Sequence, residues 1–349
     1  MDISEILVPG FEKVVRGIDA ASGLRAIVAV HDTTLGRSCG GIRMLPYATE
    51  QDALADVLRL AEGMTYKSAV ANTGLGGGKA VLIGDPAKKT RELFRSLGRL
   101  VDSLGGAYVA AEDMNVNERD LQHVRETTRW VAGLADGSGN PSPLTALGVF
   151  AGLGAVLAEA FGEADFEGRT VLVQGLGAVG SALAKRLADA GARVVACDLD
   201  EAKAKGLARE HGWEHAGNDE WLDVECDVYS PCARGATLSD ATIPRLKCRA
   251  VGGAANNQLA EPRHADALAA RGIVYAPDYV INAGGIINVA AELAPGGYDP
   301  AAARRRTEAI AGTLATIVRI AREEGITSAA AAHRLARQRL EAAKAAPAS

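Results

Sequence analysis

Two lysines, Lys67 and Lys79, bracket the stretch YKSAVANTGLGGGKAV, and nothing acidic stands between them. A lysine in a crowded, poorly solvated cleft beside a second cation gives up its proton more readily than in water, so Lys79 is a candidate general base. Lys67, left charged, suits a substrate carboxylate as a point charge. Asp113, in YVAAEDMNVN, follows a strand-like run, and a loop carboxylate there can relay a proton to an amine or imine nitrogen. On residue type alone the same trio also reads as solvated surface charge, because lysines are mostly exposed. The GGGK turn is not a phosphate loop, since it lacks the GxxxxGK[ST] spacing and the hydroxyl after the lysine.

A second constellation begins at Gly175. The run Gly175-Leu176-Gly177-Ala178-Val179-Gly180 follows the strand-like TVLVQ directly and opens a helical pattern, and Asp198 stands at the end of the next strand-like run, RVVAC. In that context Gly175 permits a tight turn, Gly177 lets the backbone approach a pyrophosphate, and Gly180 lets helix and strand pack closely. The helix N-terminus then offers unpaired N–H groups to the phosphates. Asp198 is placed to accept from both ribose hydroxyls and to repel a 2′-phosphate, which favours NAD over NADP. Two other readings remain open here: glycines that only pack a helix on a sheet, and an adenosylmethionine-binding domain with the same first turn. No metal is expected. The five cysteines are scattered with no CxxC pair and read as reduced thiols, and the six histidines form no HExxH.

The elements that must position these residues read as α/β, with forty glycines in 349 residues and short β-branched runs alternating with Ala/Leu-rich amphipathic stretches. LRAIVAV, AVLI and YVAAE are expected strands, with helices over Thr49–Met64 and Thr90–Leu104. DGSGNPSPLTALGVF collects Gly, Ser, Asn and Pro ahead of a helical pattern, which marks a domain boundary. The expectation is two domains: 1–135, joined by a C-terminal helix over about 322–349 that packs back on it, and 136–321. In the second, TVLVQ, a helix over Ala178–Ala190 and RVVAC describe a βαβ unit, with later strands at DVYSP, RAVGG and IVYAP. The net charge of -5, from 43 acidic and 38 basic residues mixed along the chain, shows no basic face for nucleic acid. No run of about 18 apolar residues and no signal-peptide order are read, so neither a membrane span nor export is expected and the protein is placed in the cytoplasm.

The blocks CGGIR, MTYKSAVANTGLGGGKAV, YVAAEDM, SGNPSPLTALGVF, VQGLGAVG, CDVYSPCA, GGAANNQLAEPRH and YAPDYVINAGGIINVA resemble, in order, the Glu/Leu/Phe/Val dehydrogenase family, NAD(P)-dependent enzymes that oxidatively deaminate L-amino acids. The resemblance implies an N-terminal substrate-binding and oligomerisation domain, a doubly wound Rossmann domain, an active site in the cleft between them, and a homo-oligomer. It implies that Lys67 holds the substrate carboxylate, that Lys79 is general base on the water attacking the imine carbon, and that Asp113 exchanges protons with the substrate nitrogen. It places Asn256 near substrate and nicotinamide and Gly41 near the substrate, and it makes Arg43, Thr145 and Asn288 cofactor contacts.

Glutamate-acting members resemble the segment before Gly40 and Gly41 but carry a lysine where this chain has Cys39. A neutral thiol would leave a second substrate carboxylate buried and unpaired, at a cost of several kcal/mol. Ala111, Ile286 and Val289 match apolar pocket positions of the leucine-acting members, so a hydrophobic amino acid, leucine or another branched-chain one, is the expected substrate. Met114-Asn115-Val116-Asn117 departs from the VGTT of those members and resembles the phenylalanine and tryptophan enzymes, as Ile42 departs from their usual Thr; an aromatic substrate is the second reading. An NAD(H)-binding regulatory protein without turnover is the non-enzymatic one.

Overall fold

A computed structural model describes residues 1–346; residues 347–349, to which the expected C-terminal helix extends, lie outside the described residues. The chain divides into two compact units, one of Met1–Asn140 with Asn288–Asp299 and the chain from Ala336 on, the other of Pro141–Ile287 with Pro300–Leu335. The division at Asn140 and Pro141 rather than at 135, and the inclusion of Asn288–Asp299 in the first unit, differ from the expectation, as does the return of the chain to the first unit at Ala336 rather than after 321. A physical tie accounts for the second difference: the Glu292 carboxylate accepts from the N–H of Gly133 (2.9 Å), the N–H of Ser138 (2.9 Å) and the Ser138 hydroxyl (2.6 Å).

The first unit is a mixed sheet in the order β1-β2-β3-β5-β4-β6, built from β1 (Asp2–Glu5), β2 (Lys13–Asp19), β3 (Leu24–Asp32), β4 (Ser38–Leu45), β5 (Gly76–Ile83) and β6 (Tyr108–Glu112). Helices α1 (Glu50–Val70), α2 (Arg91–Asp102) and α3 (Glu118–Arg125) complete it. The period of two along β3 sorts its residues: Ala26, Val28 and Val30 join Phe94, Leu97 and Leu100 of α2, while Ile27 and Ala29 join Ala53, Val57 and Ala61 of α1. Each large apolar side chain so buried contributes about 1.5–3 kcal/mol.

Two expectations change here. Thr49 does start α1, in a capping box with Asp52, but the helix runs on to Val70 and carries Lys67 on its last turn. The GGGK stretch is not a turn; it is the first half of β5, central in the sheet between β3 and β4. Its glycines answer a need for close approach: a Cβ at Gly77 would strike the backbone of Thr65 on α1, and one at Gly78 would lie 2.8 Å from the Tyr108 ring.

The second unit holds a sheet of β9 (Glu214–His215), β8 (Arg193–Cys197), β7 (Thr170–Gln174), β10 (Val228–Pro231), β11 (Ala250–Val251) and β12 (Val274–Tyr275), adjacent in that order and parallel throughout. In chain order this is 3-2-1-4-5-6, the doubly wound dinucleotide-binding arrangement, and its order reverses between β7 and β10. Helix α4 (Ser142–Phe161) precedes β7, and α5 (Ala178–Asp189), α6 (Glu201–His211) and α7 (His264–Ala270) alternate with the strands; α8 (Asp278–Ile281), α10 (Pro300–Glu308) and α11 (Ile310–Glu324) come after β12 in the same unit, while α9 (Gly284–Glu292) and α12 (Ser328–Ala345) each pass from this unit into the first, at Asn288 and at Ala336.

Contrary to the sequence reading, one segment is apolar enough to cross a bilayer by length and composition: α4, with mean hydropathy 1.8. More than half of it, 56%, is buried inside the protein, with Gly148 and Gly152 fitting against Ile281, Ile310 and Leu314, so its hydrophobicity is that of a core helix. The expected helix over 322–349 is interrupted as well: α11 stops at Gly325, whose φ of 63° is left-handed, and α12 starts afresh at Ser328.

Candidate active site

In the first unit, β5, β4 and β6 lie side by side and bring Lys79, Arg43 and Asp113 together. Lys79 is only 4% exposed, and its Nζ lies 2.9 Å from Asp113 Oδ2. The same oxygen accepts from Arg43 Nε at 2.8 Å. The acid that the sequence does not place between the two lysines is supplied in space, from just beyond the end of β6 and far along the chain. Burial lowers the proton affinity of Lys79, Asp113 counters that, and Arg43 works with burial; the net direction is downward. For Asp113, burial pushes upward, but Lys79 and Arg43 together hold it below the usual carboxylate range. The second cation that sequence reasoning assigned to Lys79 is therefore Arg43.

Three further groups extend this cluster, and sequence reading did not single them out for it. Asp56 of α1 receives Arg43 Nη1 at 3.2 Å, the Tyr47 hydroxyl at 2.7 Å and Arg59 Nη2 at 2.8 Å. Charges alternate along Arg59, Asp56, Arg43, Asp113 and Lys79. Arg43, assigned by resemblance to the cofactor, has its guanidinium engaged with these two carboxylates. The signal in sequence was an arginine set among the apolar residues of a strand, SCGGIRML, which requires acids that sequence cannot locate.

Local geometry explains how Asp113 is held. Gly41 pairs with Ala111 between β4 and β6, and a Cβ at Gly41 would lie 2.5 Å from Asp113 Cβ, so only glycine lets the acid approach. The segment after it is a tight turn in which Val116 N–H donates to Asp113 C=O (2.9 Å) and Asn115 is left-handed, φ 61°. Asn115 Nδ2 donates to Met44 C=O (3.0 Å), and Met44 N–H donates to Met114 C=O (3.1 Å). The asparagine that suggested an aromatic substrate thus points at the main chain of β4.

Cys39 pairs with Gly77 of β5 and Val109 of β6 and is fully buried; burial pushes its thiol up to about 12, so it is neutral at ordinary pH. Lys67 is half-buried on the last turn of α1. Thr65, two residues before it, packs against Gly77, two residues before Lys79, so the end of α1 that carries Lys67 lies on the strand that carries Lys79. Val289 is buried in this unit, near Gly133. Asn288 is buried; its Nδ2 donates to Ser138 C=O (3.1 Å) and its Oδ1 accepts from the Tyr298 hydroxyl (2.6 Å), which makes it a strut for the loop before α4.

In the second unit the glycine run lies at the reversal of strand order. Gly175 has φ 100°, and a Cβ there would lie 2.5 Å from that of Ala233 beyond β10; a Cβ at Gly180 would collide with Gly175 C=O. Gly177 caps α5 with no side chain, and space opens beside it, so a ligand can reach the N–H groups of the first turn, where Ala178 is exposed and Val179 half-buried. Leu176 is buried, and its N–H donates to Asp198 Oδ2 (2.6 Å), while Asp200 N–H donates to Asp198 Oδ1 (2.9 Å). An uncapped turn with an oriented carboxylate fits a pyrophosphate and a ribose. Asn256 is exposed, its Oδ1 accepting from Asn282 Nδ2 (2.7 Å). Thr145 donates its hydroxyl to Pro141 C=O (3.0 Å) near Gly285, and Ile286 is buried one residue on.

Residues 13–130 match the family described as Glu/Leu/Phe/Val dehydrogenase, dimerisation domain, and residues 137–202 and 198–346 match Glutamate/Leucine/Phenylalanine/Valine dehydrogenase. The chain is 48% identical over 335 residues to a leucine dehydrogenase of Thermoactinomyces intermedius, covering 95% of this chain and 91% of that one. It is 44% identical over 345 residues to a valine dehydrogenase of Streptomyces coelicolor, covering 97% and 94%. The crystal structure of L-tryptophan dehydrogenase from Nostoc punctiforme is similar with a TM-score of 0.88, 41% identity and 97% of each chain covered.

Proposed function

Because the chain belongs to the Glu/Leu/Phe/Val dehydrogenase family and is an amino acid dehydrogenase that uses a nicotinamide cofactor, we propose that it oxidatively deaminates a hydrophobic L-amino acid, leucine or another branched-chain one, with NAD. The observation that carries the substrate reading is Cys39: a fully buried thiol kept neutral, beside Gly41 and Ala111, offers a second carboxylate no cation. Glutamate would lose water there and gain nothing. Val289 and Ile286, buried and apolar, suit the same class of side chain.

In this reading Lys67 binds the substrate carboxylate. A dinucleotide held at the Gly175–Gly180 turn, with Thr145 and Asn256 as further contacts, supplies the hydride acceptor. Lys79, which burial predisposes to the neutral form, takes a proton from the water that attacks the imine carbon. Asp113, ionised beside two cations, accepts a proton from the substrate nitrogen. The two steps are coupled: when Lys79 becomes neutral, Asp113 loses one of its two cationic partners and its proton affinity rises. Arg43 remains to keep the carboxylate in place.

Asp198 supports NAD over NADP, since both its oxygens are oriented by main-chain N–H groups and its charge opposes a 2′-phosphate. An aromatic substrate is the second reading, favoured by the likeness to the tryptophan enzyme over the whole chain. The description of the first matched region as a dimerisation domain supports a self-associating protein. The deciding experiment measures kcat/KM for leucine, valine, alanine, phenylalanine, tryptophan and glutamate with NAD and NADP on one preparation. Each buried methylene contributes about 0.8 kcal/mol, so leucine should exceed alanine by roughly two orders of magnitude. A preference for glutamate would overturn the pocket; a preference for phenylalanine or tryptophan would move the substrate to the second reading. Light scattering on the same preparation reads the assembly.

A further inference from the structure

Two thiols lie outside everything described so far. Cys226 and Cys248 each stand two residues before a strand, β10 and β11, whose register pairs Val228 with Ala250 and Tyr229 with Val251; continued back by two residues on both strands, that register sets Cys226 opposite Cys248. The main chain fixes the alignment next to them, because Asp227 C=O accepts from the N–H groups of both Arg249 and Ala250, each at 3.1 Å. Asp227 is itself anchored, its carboxylate accepting from Thr170 N–H at 2.8 Å. Registered neighbours on adjacent strands lie about 4.8 Å apart, inside the window of about 4.4–6.8 Å between Cα atoms that a disulfide spans. Both thiols are free.

The two differ in access. Cys248 is buried, 7% exposed. Cys226 is half-buried and lines an open cavity of about 430 Å³ together with Thr170, Glu225, Asp227 and Lys247. We propose that Cys226 and Cys248 form a redox-modifiable dithiol, which a hydroperoxide entering from this cavity converts into a disulfide.

The chemistry balances with the peroxide as oxidant. Cys226 passes its proton to the Cys248 thiolate and its sulfur attacks one oxygen of hydrogen peroxide; the O–O bond breaks, Cys226 becomes a sulfenic acid, and the departing hydroxide takes the proton back from Cys248 and leaves as water. The Cys248 sulfur then displaces the hydroxyl, which departs as a second water, and the S–S bond forms. The sulfurs lose two electrons and the peroxide is reduced. The pair is arranged for the second step: the register sets the two thiols side by side, and each shifts the other, Cys248 being held below its ordinary range while Cys226, with burial added, is pushed up. Cys248 is thus the resolving thiolate. A bridge across one ladder step between parallel strands has little freedom to reach relaxed geometry, so a small thiol should reverse it.

The pair sits at the N-terminal ends of the parallel strands, whereas the glycine turn lies beyond their C-terminal ends, so oxidation is read directly rather than through turnover. The full-length protein is titrated with hydrogen peroxide, remaining thiols are alkylated under denaturing conditions, and intact mass and non-reducing peptide maps are recorded. The expected result is loss of two hydrogen atoms, a cross-linked peptide pair containing Cys226 and Cys248, alkylation of Cys39, Cys197 and Cys232, and recovery with dithiothreitol. With Cys248→Ser, Cys226 should be trapped by dimedone as a sulfenic acid and no cross-link should form. Sulfinic acid at Cys226 in the native protein without a cross-link would overturn the proposal. So would oxidation of the other cysteines first, or no loss of thiol at a peroxide excess that oxidises free cysteine.

Discussion

The two units hold their key carboxylates by different means. Asp113 is fixed by charged side chains from other strands, Lys79 at 2.9 Å and Arg43 at 2.8 Å, in a buried cluster. Asp198 is fixed by two main-chain N–H groups close to it in space, those of Leu176 and Asp200. A carboxylate oriented by backbone amides is set by the local path of the chain and keeps its lone pairs for a ligand. A carboxylate shared between buried cations has its proton affinity set by both, so each proton moved in that cluster changes the next. The first arrangement suits binding and the second suits proton transfer.

The harshest test of that contrast is Lys79→Ala. Removing a positioned general base costs about 10²–10⁴-fold in rate, so kcat should fall in that range. NADH binding, followed by nucleotide fluorescence, should be unchanged, since the glycine turn lies in the other unit. Turnover near the native rate would take Lys79 out of the chemistry. In the native enzyme the deamination rate should rise with pH along a limb below the ordinary lysine value of about 10.4. The sign follows from the neutral amine being the active form and from burial favouring that form.

A smaller effect is expected from Asp198→Ala. The charge-assisted bonds to the ribose are worth about 1.5–3 kcal/mol, so the preference for NAD over NADP should fall about 10–100-fold, mostly through KM for NAD, with kcat on saturating cofactor nearly kept. A native protein that already used both cofactors equally would refute the role given to Asp198.

The same contrast explains what could be read in advance. Gly175, Gly177, Gly180 and Asp198 form a motif whose parts are close along the chain and whose function is carried by backbone, so β7, α5 and β8 were legible with their turn. The cluster around Lys79 is assembled from β4, β5, β6 and α1, and its residues were singled out one by one by type or by resemblance. Asp56 was not found, because an acid in an amphipathic helix looks the same whether it faces water or a buried arginine. GGGK reads as a turn in sequence because glycine more often marks flexible backbone than a strand pressed between a helix and its neighbours. The apolar character of α4 went unremarked because its glycines and alanines dilute a run that only packing explains.

Asn115 offers a test of intermediate size inside the lysine site. Replacing it with alanine keeps neither the bond to Met44 C=O nor an easy left-handed backbone, which costs an ordinary residue about 1–2 kcal/mol. Turnover should fall about 10-fold, with the thermal midpoint lowered by a few degrees. Asn115→Gly tolerates the φ of 61° and loses only the amide bond, so it should recover most of the stability but less of the rate. Equal recovery of both would mean that Asn115 supports the fold alone.

The finest distinction concerns Asp56, which touches neither Lys79 nor Asp113 directly but carries the charge at the far side of Arg43. Its carboxylate raises the proton affinity of Lys79 and Arg43 lowers it. In Asp56→Asn the amide oxygen can still accept from Tyr47 and Arg43, so the packing is kept while the charge is lost. Both consequences have the same sign: Lys79 loses an attractive charge, and Arg43, less neutralised, repels the ammonium more strongly. The ascending limb of the deamination rate should therefore move to lower pH, with the plateau rate retained. A purely structural role would lower the plateau and leave the limb in place. The corresponding change at Asp200, in the other unit, should leave the limb where it was, because Asp198 is held by the Asp200 N–H and not by its side chain. A limb that stays fixed in Asp56→Asn, or moves to higher pH, would show that the alternating charges beyond Arg43 do not reach Lys79.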